Sequence, residues 1–99
     1  RRFEVIVGIS YDDDIEKAKE KALEALEDSE QVSNHQDPQV LISELGGSSV
    51  DLKLRGWTKP SKASLVAASS EVTQKVKEYY DDEDIDIPYP IRTVFMEEQ

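Results

Sequence analysis

Four groups of residues in this chain are of types that can do chemistry: His35, the acids Asp12-Asp13-Asp14, the acids Asp81-Asp82-Glu83-Asp84, and the turn Gly46-Gly47-Ser48-Ser49. His35 is the one histidine in a chain without cysteine, so a typical zinc set of imidazoles and thiolates is out of reach. It has no Ser or Cys nucleophile motif to serve either, and its polar surroundings, Asn34 and Gln36, read as a solvated loop. The three consecutive aspartates lack the alternating ligand spacing of a calcium loop and are explained by the start of a helix. The acids at 81–84 oppose the dipole of the helix before them, which makes them a solvated face or a weak cation site. The Gly-Gly-Ser-Ser turn has the amides and hydroxyls that suit an anion, but no helix opening on a lysine follows, as a phosphate-binding loop requires. Trp57 is different in kind, because a large amphipathic ring at a strand end can cap a core or meet a partner.

The elements that carry these residues are bounded by composition. At 99 residues the chain makes one domain and buries roughly two thirds of its unfolded surface. With no Cys there is no disulfide framework, thiolate nucleophile or iron–sulfur ligation, which fits a reducing compartment. No apolar run approaches the ~18–20 residues of a membrane span, and no signal peptide is expected from this stretch of sequence. The formal net charge is −10, so nucleic-acid phosphates are repelled by most of such a surface. The chain opens Arg1-Arg2-Phe3 without an initiator Met, as a piece of a longer polypeptide would.

Phe3 to Ser10 is apolar on both faces, the pattern of a central strand. A helix follows, with Asp13 expected as N-cap, Glu16 as its capping-box partner, and an apolar stripe of Ile15, Ala18, Ala22, Leu23 and Leu26 ending near Asp28. After a polar loop come two strands, 39–45 and 48–57, joined at Gly46-Gly47, which suits a tight hairpin turn. Val50, Leu52 and Leu54 alternate with Asp51, Lys53 and Arg55, and the alternation slips at Gly56-Trp57, where a bulge or the strand end is expected. A second helix spans about Lys62 to Tyr80, with Leu65, Ala68, Val72, Val76 and Tyr79 or Tyr80 inward. A last strand, Ile91 to Met96, follows Ile87-Pro88-Tyr89-Pro90. Proline is confined to strand edges and starts, so this segment is expected to leave the domain stiffly and to pair elsewhere. The order is β-α-β-β-α with a detached β, an α+β, ferredoxin-like sandwich.

Three stretches, VGISYDDDIEKAKE (residues 7–20), PQVLISELGGSSVDLKLRGW (38–57) and IDIPYPIRTVFM (85–96), taken together resemble the C-terminal cytoplasmic domain of the small-conductance mechanosensitive channel (MscS-like) family. The most specific elements are the V-G-x-x-Y-D entry to the first helix, the E-L-G-x-S-S hairpin and the I-P-Y-P exit. The chain departs from the family pattern at Asn34-His35-Gln36, at Gly56, and in the Ser- and Ala-rich start of the second helix. The resemblance implies a non-enzymatic domain of a channel subunit whose transmembrane helices lie outside this chain. Its copies, typically seven, associate into a hollow cage on the cytoplasmic side of the inner membrane, with ions as the transported species. It implies that residues 1–87 form the cage wall and that 88–99 exit to an inter-subunit β-barrel. Trp57, Tyr89, Ile91, Arg92, Thr93, Val94 and Phe95 are then the expected interface.

No cofactor, metal or catalytic residue follows from the sequence. A stand-alone ferredoxin-like module binding a small regulatory ligand is the alternative from another class. An acylphosphatase-type enzyme would need an Arg in an anion-cradling loop after the first strand, and that loop is acidic.

Overall fold

The structure, a computed structural model, describes residues 2–33, 36–45, 49–87 and 91–95. Six elements follow in chain order: β1 (Arg2–Ser10), α1 (Ile15–Asp28), β2 (Gln39–Leu45), β3 (Ser49–Trp57), α2 (Lys62–Asp82) and β4 (Arg92–Phe95). They form one antiparallel sheet in the order β2-β3-β1-β4, packed on one face by both helices, which is the split β-α-β arrangement expected from the element order.

Side-chain alternation on the strands sets which face the helices cover. Phe3, Val5, Val7 and Ile9 of β1 and Val50, Leu52 and Leu54 of β3 are all fully buried, in register from Arg2 opposite Trp57 to Ser10 opposite Ser49. Against them lie Ala18, Ala22, Ala25 and Leu26 of α1, and Leu65, Ala68, Val72, Val76 and Tyr80 of α2. The small residues of α1 let it approach the sheet closely. Between the strands, Gly56 is required: a Cβ there would stand 2.9 Å from the ring of Phe3, its register partner. The regular register through Gly56 excludes a bulge at that point, and β3 simply ends at Trp57. The bulge lies in β2 instead, where the pairing shifts between Ile42 and Glu44.

Helix boundaries follow local hydrogen bonding. Asp14, not Asp13, caps α1, its Oδ1 accepting from the Lys17 N–H at 3.1 Å. Asp13 closes the preceding turn, where its carboxylate accepts from the Ser10 N–H and its own N–H donates to the Ser10 carbonyl. Ser61 caps α2 in the same way, through the Ser64 N–H. The other end of α2 runs two residues past Tyr80 and stops in a Schellman turn. There the Ile85 N–H reaches the Tyr80 carbonyl at 2.9 Å, the Asp84 N–H reaches that of Asp81, and Asp84 has φ 57°. Ile85, buried, supplies the apolar contact that such turns favour.

The expected departure of the last strand is corrected. β4 pairs antiparallel with β1, from Phe3 opposite Phe95 to Ile6 opposite Arg92. Without it, the outer N–H and C=O groups of β1 would be unpaired directly beside the apolar core, and pairing satisfies them. Pro88, Tyr89 and Pro90 lie outside the described residues, as do His35 and the Gly46-Gly47 turn.

Candidate functional site

Among the described residues the sheet has an uncovered face and two free edges; Trp57 ends β3, Ile91 to Phe95 run along one edge, and Tyr89 lies outside the described residues. On the uncovered face Glu4 is only 3% exposed, although no helix lies over it. It is enclosed by its strand neighbours: Arg55 Nε donates to Glu4 Oε2 at 2.9 Å, Lys53 Nζ lies 3.9 Å from Oε1, and Arg55 Nη1 reaches the Gln39 side-chain oxygen at 3.3 Å. A buried carboxylate requires such partners. The arrangement links β1, β3 and β2 with one polar chain. Trp57 sits at the same end of β3, half-buried, its carbonyl accepting from the Ser33 N–H at 2.6 Å.

Among the described residues, the two strands with an unpaired edge are β2 and β4. Beside β4, on the helix-covered side, an open groove of about 600 Å³ runs between the strand and the flank of α2. Val66, Ser70, Thr73 and Lys77 line it from the helix, and Ile91 and Thr93 from the strand. Val66 is 55% exposed, and Ser69 in the groove wall has a buried hydroxyl with no hydrogen-bond partner among the described residues. Lys77 at one end is held loosely, 4.0 Å from Asp81 with both side chains open to solvent. Sequence reasoning missed this flank. The available signal was Val66 itself, an apolar residue off the inward stripe of α2. At the opposite edge Leu41 and Ile42 are 40% and 47% exposed, and the signal there was the unbroken apolar run Val40-Leu41-Ile42.

A second cleft separates the ends of the helices, lined by Lys21, Glu24, Asp28, Tyr79, Asp82 and Glu83. Tyr79 donates its hydroxyl to Asp28 at 2.6 Å, and that bond, with the surrounding acids, pushes its pKa up to about 12. The acids at 81–84 are put to separate uses: Asp81 faces Lys77, Glu83 pairs with Lys17 at 3.1 Å, and Asp84 takes the left-handed position. No group of three or more His, Asp or Glu placed to hold a metal ion occurs among the described residues. Among the described residues the surfaces with distinctive geometry are the sheet edges and the groove and cleft beside the helices.

Residues 3–87 match the family described as mechanosensitive ion channel MscS, C-terminal. The chain is 36% identical over 95 residues to an MscS family protein of Archaeoglobus fulgidus, and 28% identical over 96 residues to one of Synechocystis. These alignments take in 96% and 97% of this chain but 33% and 32% of the relatives, so the chain spans about a third of their length. In structure it resembles the closed-state crystal structure of Helicobacter pylori MscS, with a TM-score of 0.79, 24% identity and coverage of 100% of this chain and 39% of that one. Arabidopsis thaliana MSL1, seen by cryo-EM, shares the fold with a TM-score of 0.72 at 16% identity, over 91% of this chain and 34% of that one. The chain belongs to the MscS mechanosensitive ion channel family, as its C-terminal domain.

Proposed function

We propose that this domain builds the wall of an oligomeric cage on the cytoplasmic side of the channel's membrane, seven copies to a cage. There it assembles the subunits, filters solutes on their way to the pore and biases gating. The family match over residues 3–87 carries this reading. Two features support it. No helix among the described residues is long and apolar enough to cross a membrane, so the pore belongs to other parts of a subunit. The sheet also keeps two unpaired edges and exposed apolar residues beside each, which gives a wall its lateral contacts. The net charge of −10, where it faces the lumen, raises the local concentration of cations. Tyr89 and residues 91–95 belong to the contact zone between subunits in this reading, with Trp57 two strands away at the end of the sheet where Phe3 pairs with Phe95.

The test is made on the complete subunit, in vesicles under patch pipettes. Pressure-activated currents are expected from the intact protein, and removal of residues 91–99 is expected to reduce channel number and the yield of full-size oligomer. A subunit that is monomeric in detergent and silent under pressure overturns the reading.

A further inference from the structure

We infer that a cleft at one end of the sheet seats a lysine or arginine side chain from the part of the complete subunit that precedes residue 1. The cleft, of about 190 Å³, lies between the last turn of α1 and the loop leading into β2. Leu26, Val32 and Pro38 give it an apolar surface, and two exposed carboxylates, Glu27 and Asp37, stand on its wall together with Ser33. Among the described residues no cation comes within ion-pair distance of either carboxylate. That combination fits one kind of occupant. The space falls short of the ~300–1,000 Å³ that holds a free small molecule. A long basic side chain suits it, with the aliphatic stem against the apolar wall and the charged head toward the carboxylates.

The place of the cleft in the fold identifies the source of that side chain. The Ser33 N–H donates to the Trp57 carbonyl at 2.6 Å, and Trp57 is the register partner of Arg2, where β1 begins. Pro38 adjoins Gln39, which pairs with Arg55 at the same end of β3. The cleft therefore stands beside the point at which the chain enters the domain. The family match is to a C-terminal domain, and the relatives are about three times as long as this chain, so a large part of the subunit joins at that point. The entry is basic: residues 1 and 2 are both arginine in a chain of net charge −10. A segment tethered at residue 1 also meets the cleft at high effective concentration, which a single ion pair on a solvated surface needs. Seating of this kind is a contact within one subunit, independent of how copies assemble, and it fixes the domain's orientation against the rest of its chain.

The test uses the complete subunit in vesicles. Gln36 lines the cleft and is exposed, so p-benzoylphenylalanine in its place leaves the core intact. After irradiation the product is run on a denaturing gel, digested, and the joined peptides identified by mass spectrometry. An adduct at the mass of one subunit is expected, linking position 36 to a Lys- or Arg-containing peptide from upstream of residue 1. Its yield is expected to fall severalfold when Glu27→Lys and Asp37→Lys are added. The neutral pair Glu27→Gln with Asp37→Asn, which introduces no repulsion, is expected to lower the yield as well. Absence of any upstream adduct overturns the inference, and so does a yield that neither pair changes. An adduct at the mass of two subunits places another copy in the cleft; it overturns the inference and leaves the cage reading standing.

Discussion

The two faces of the sheet are held by different physics. The helix-covered face is a dry layer in which Phe3, Val5, Val7, Ile9, Val50, Leu52 and Leu54 are stabilised by volume and by removal of apolar surface from water. The uncovered face has no layer over it, yet encloses a carboxylate, Glu4, through directed bonds to Arg55 and Lys53. The first face is tolerant of identity and intolerant of voids; the second is the reverse. The covered face therefore supplies most of the stability, whereas the polar chain from β1 through β3 to β2 supplies register, because a one-residue slip would bury Glu4 among apolar groups.

Breaking the covered face should cost most. Phe3→Ala removes a fully buried ring packed against Gly56, and a loss of about 3–5 kcal/mol is expected by urea denaturation. A loss below ~1 kcal/mol would mean that the helices collapse onto the space and that this layer is not close-packed. On the uncovered face, Arg55→Met strands Glu4 with Lys53 as its remaining partner, at a cost of about 1–3 kcal/mol. The double variant Glu4→Leu with Arg55→Met should recover most of that loss. If the double is as poor as the single, the uncovered face contributes stability beyond register, and the two faces differ less than their chemistry suggests.

Gly56→Ala sharpens the comparison, because it over-packs the covered face from a strand whose neighbouring residues serve the other. A cost of about 1–3 kcal/mol is expected, and combination with Phe3→Leu should be less than additive, since the clash is with that ring. The smallest effect is expected away from both faces. Asp84→Gly relieves a left-handed residue at the end of α2 and should stabilise by about 0.4–1 kcal/mol, seen as a raised urea midpoint. Destabilisation instead would mean that the Asp84 side chain contributes to the cap.

The covered face was readable in the sequence and the uncovered face was not. Alternation in β3 and the helical stripes of α1 and α2 announce buried positions, because apolar periodicity is itself the cause of layer packing. Glu4 gave no such signal. It sits in the run Phe3-Glu4-Val5-Ile6, and its burial depends on Arg55, fifty-one residues away, being its register partner. Tyr79 and Tyr80 show the same limit within one helix. Either fitted the inward face, and the structure sends Tyr80 into the core, where its hydroxyl donates to the Ala18 carbonyl at 2.8 Å, and Tyr79 outward to Asp28. Capping at Asp13 was placed one residue early because three consecutive aspartates compete for one role, and only the turn geometry at Ser10 separates them. The course of β4 was misjudged for a further reason. Two prolines show that a chain cannot enter a sheet there, but they carry no information about where it goes four residues later. Ile91 and Thr93 were named from the sequence as interface residues, but the groove they line with α2 was not legible, because Val66, Ser70 and Thr73 come within reach only once the sheet and helix pack.

Placing the last strand beside the first has a consequence in time. β2 and β3 are close in sequence and β1 meets β3 across some fifty residues, but β4 meets β1 across about ninety, between Phe3 and Phe95. Closing the longest loop carries the largest entropy cost and is rewarded only once β1 is already in place. On a ribosome, β4 is also the last described strand to emerge. The domain therefore gains a three-stranded, helix-covered body first and its final edge afterwards. For that interval the outer side of β1 is an open strand, a segment that a chaperone shields or that a neighbouring nascent chain captures.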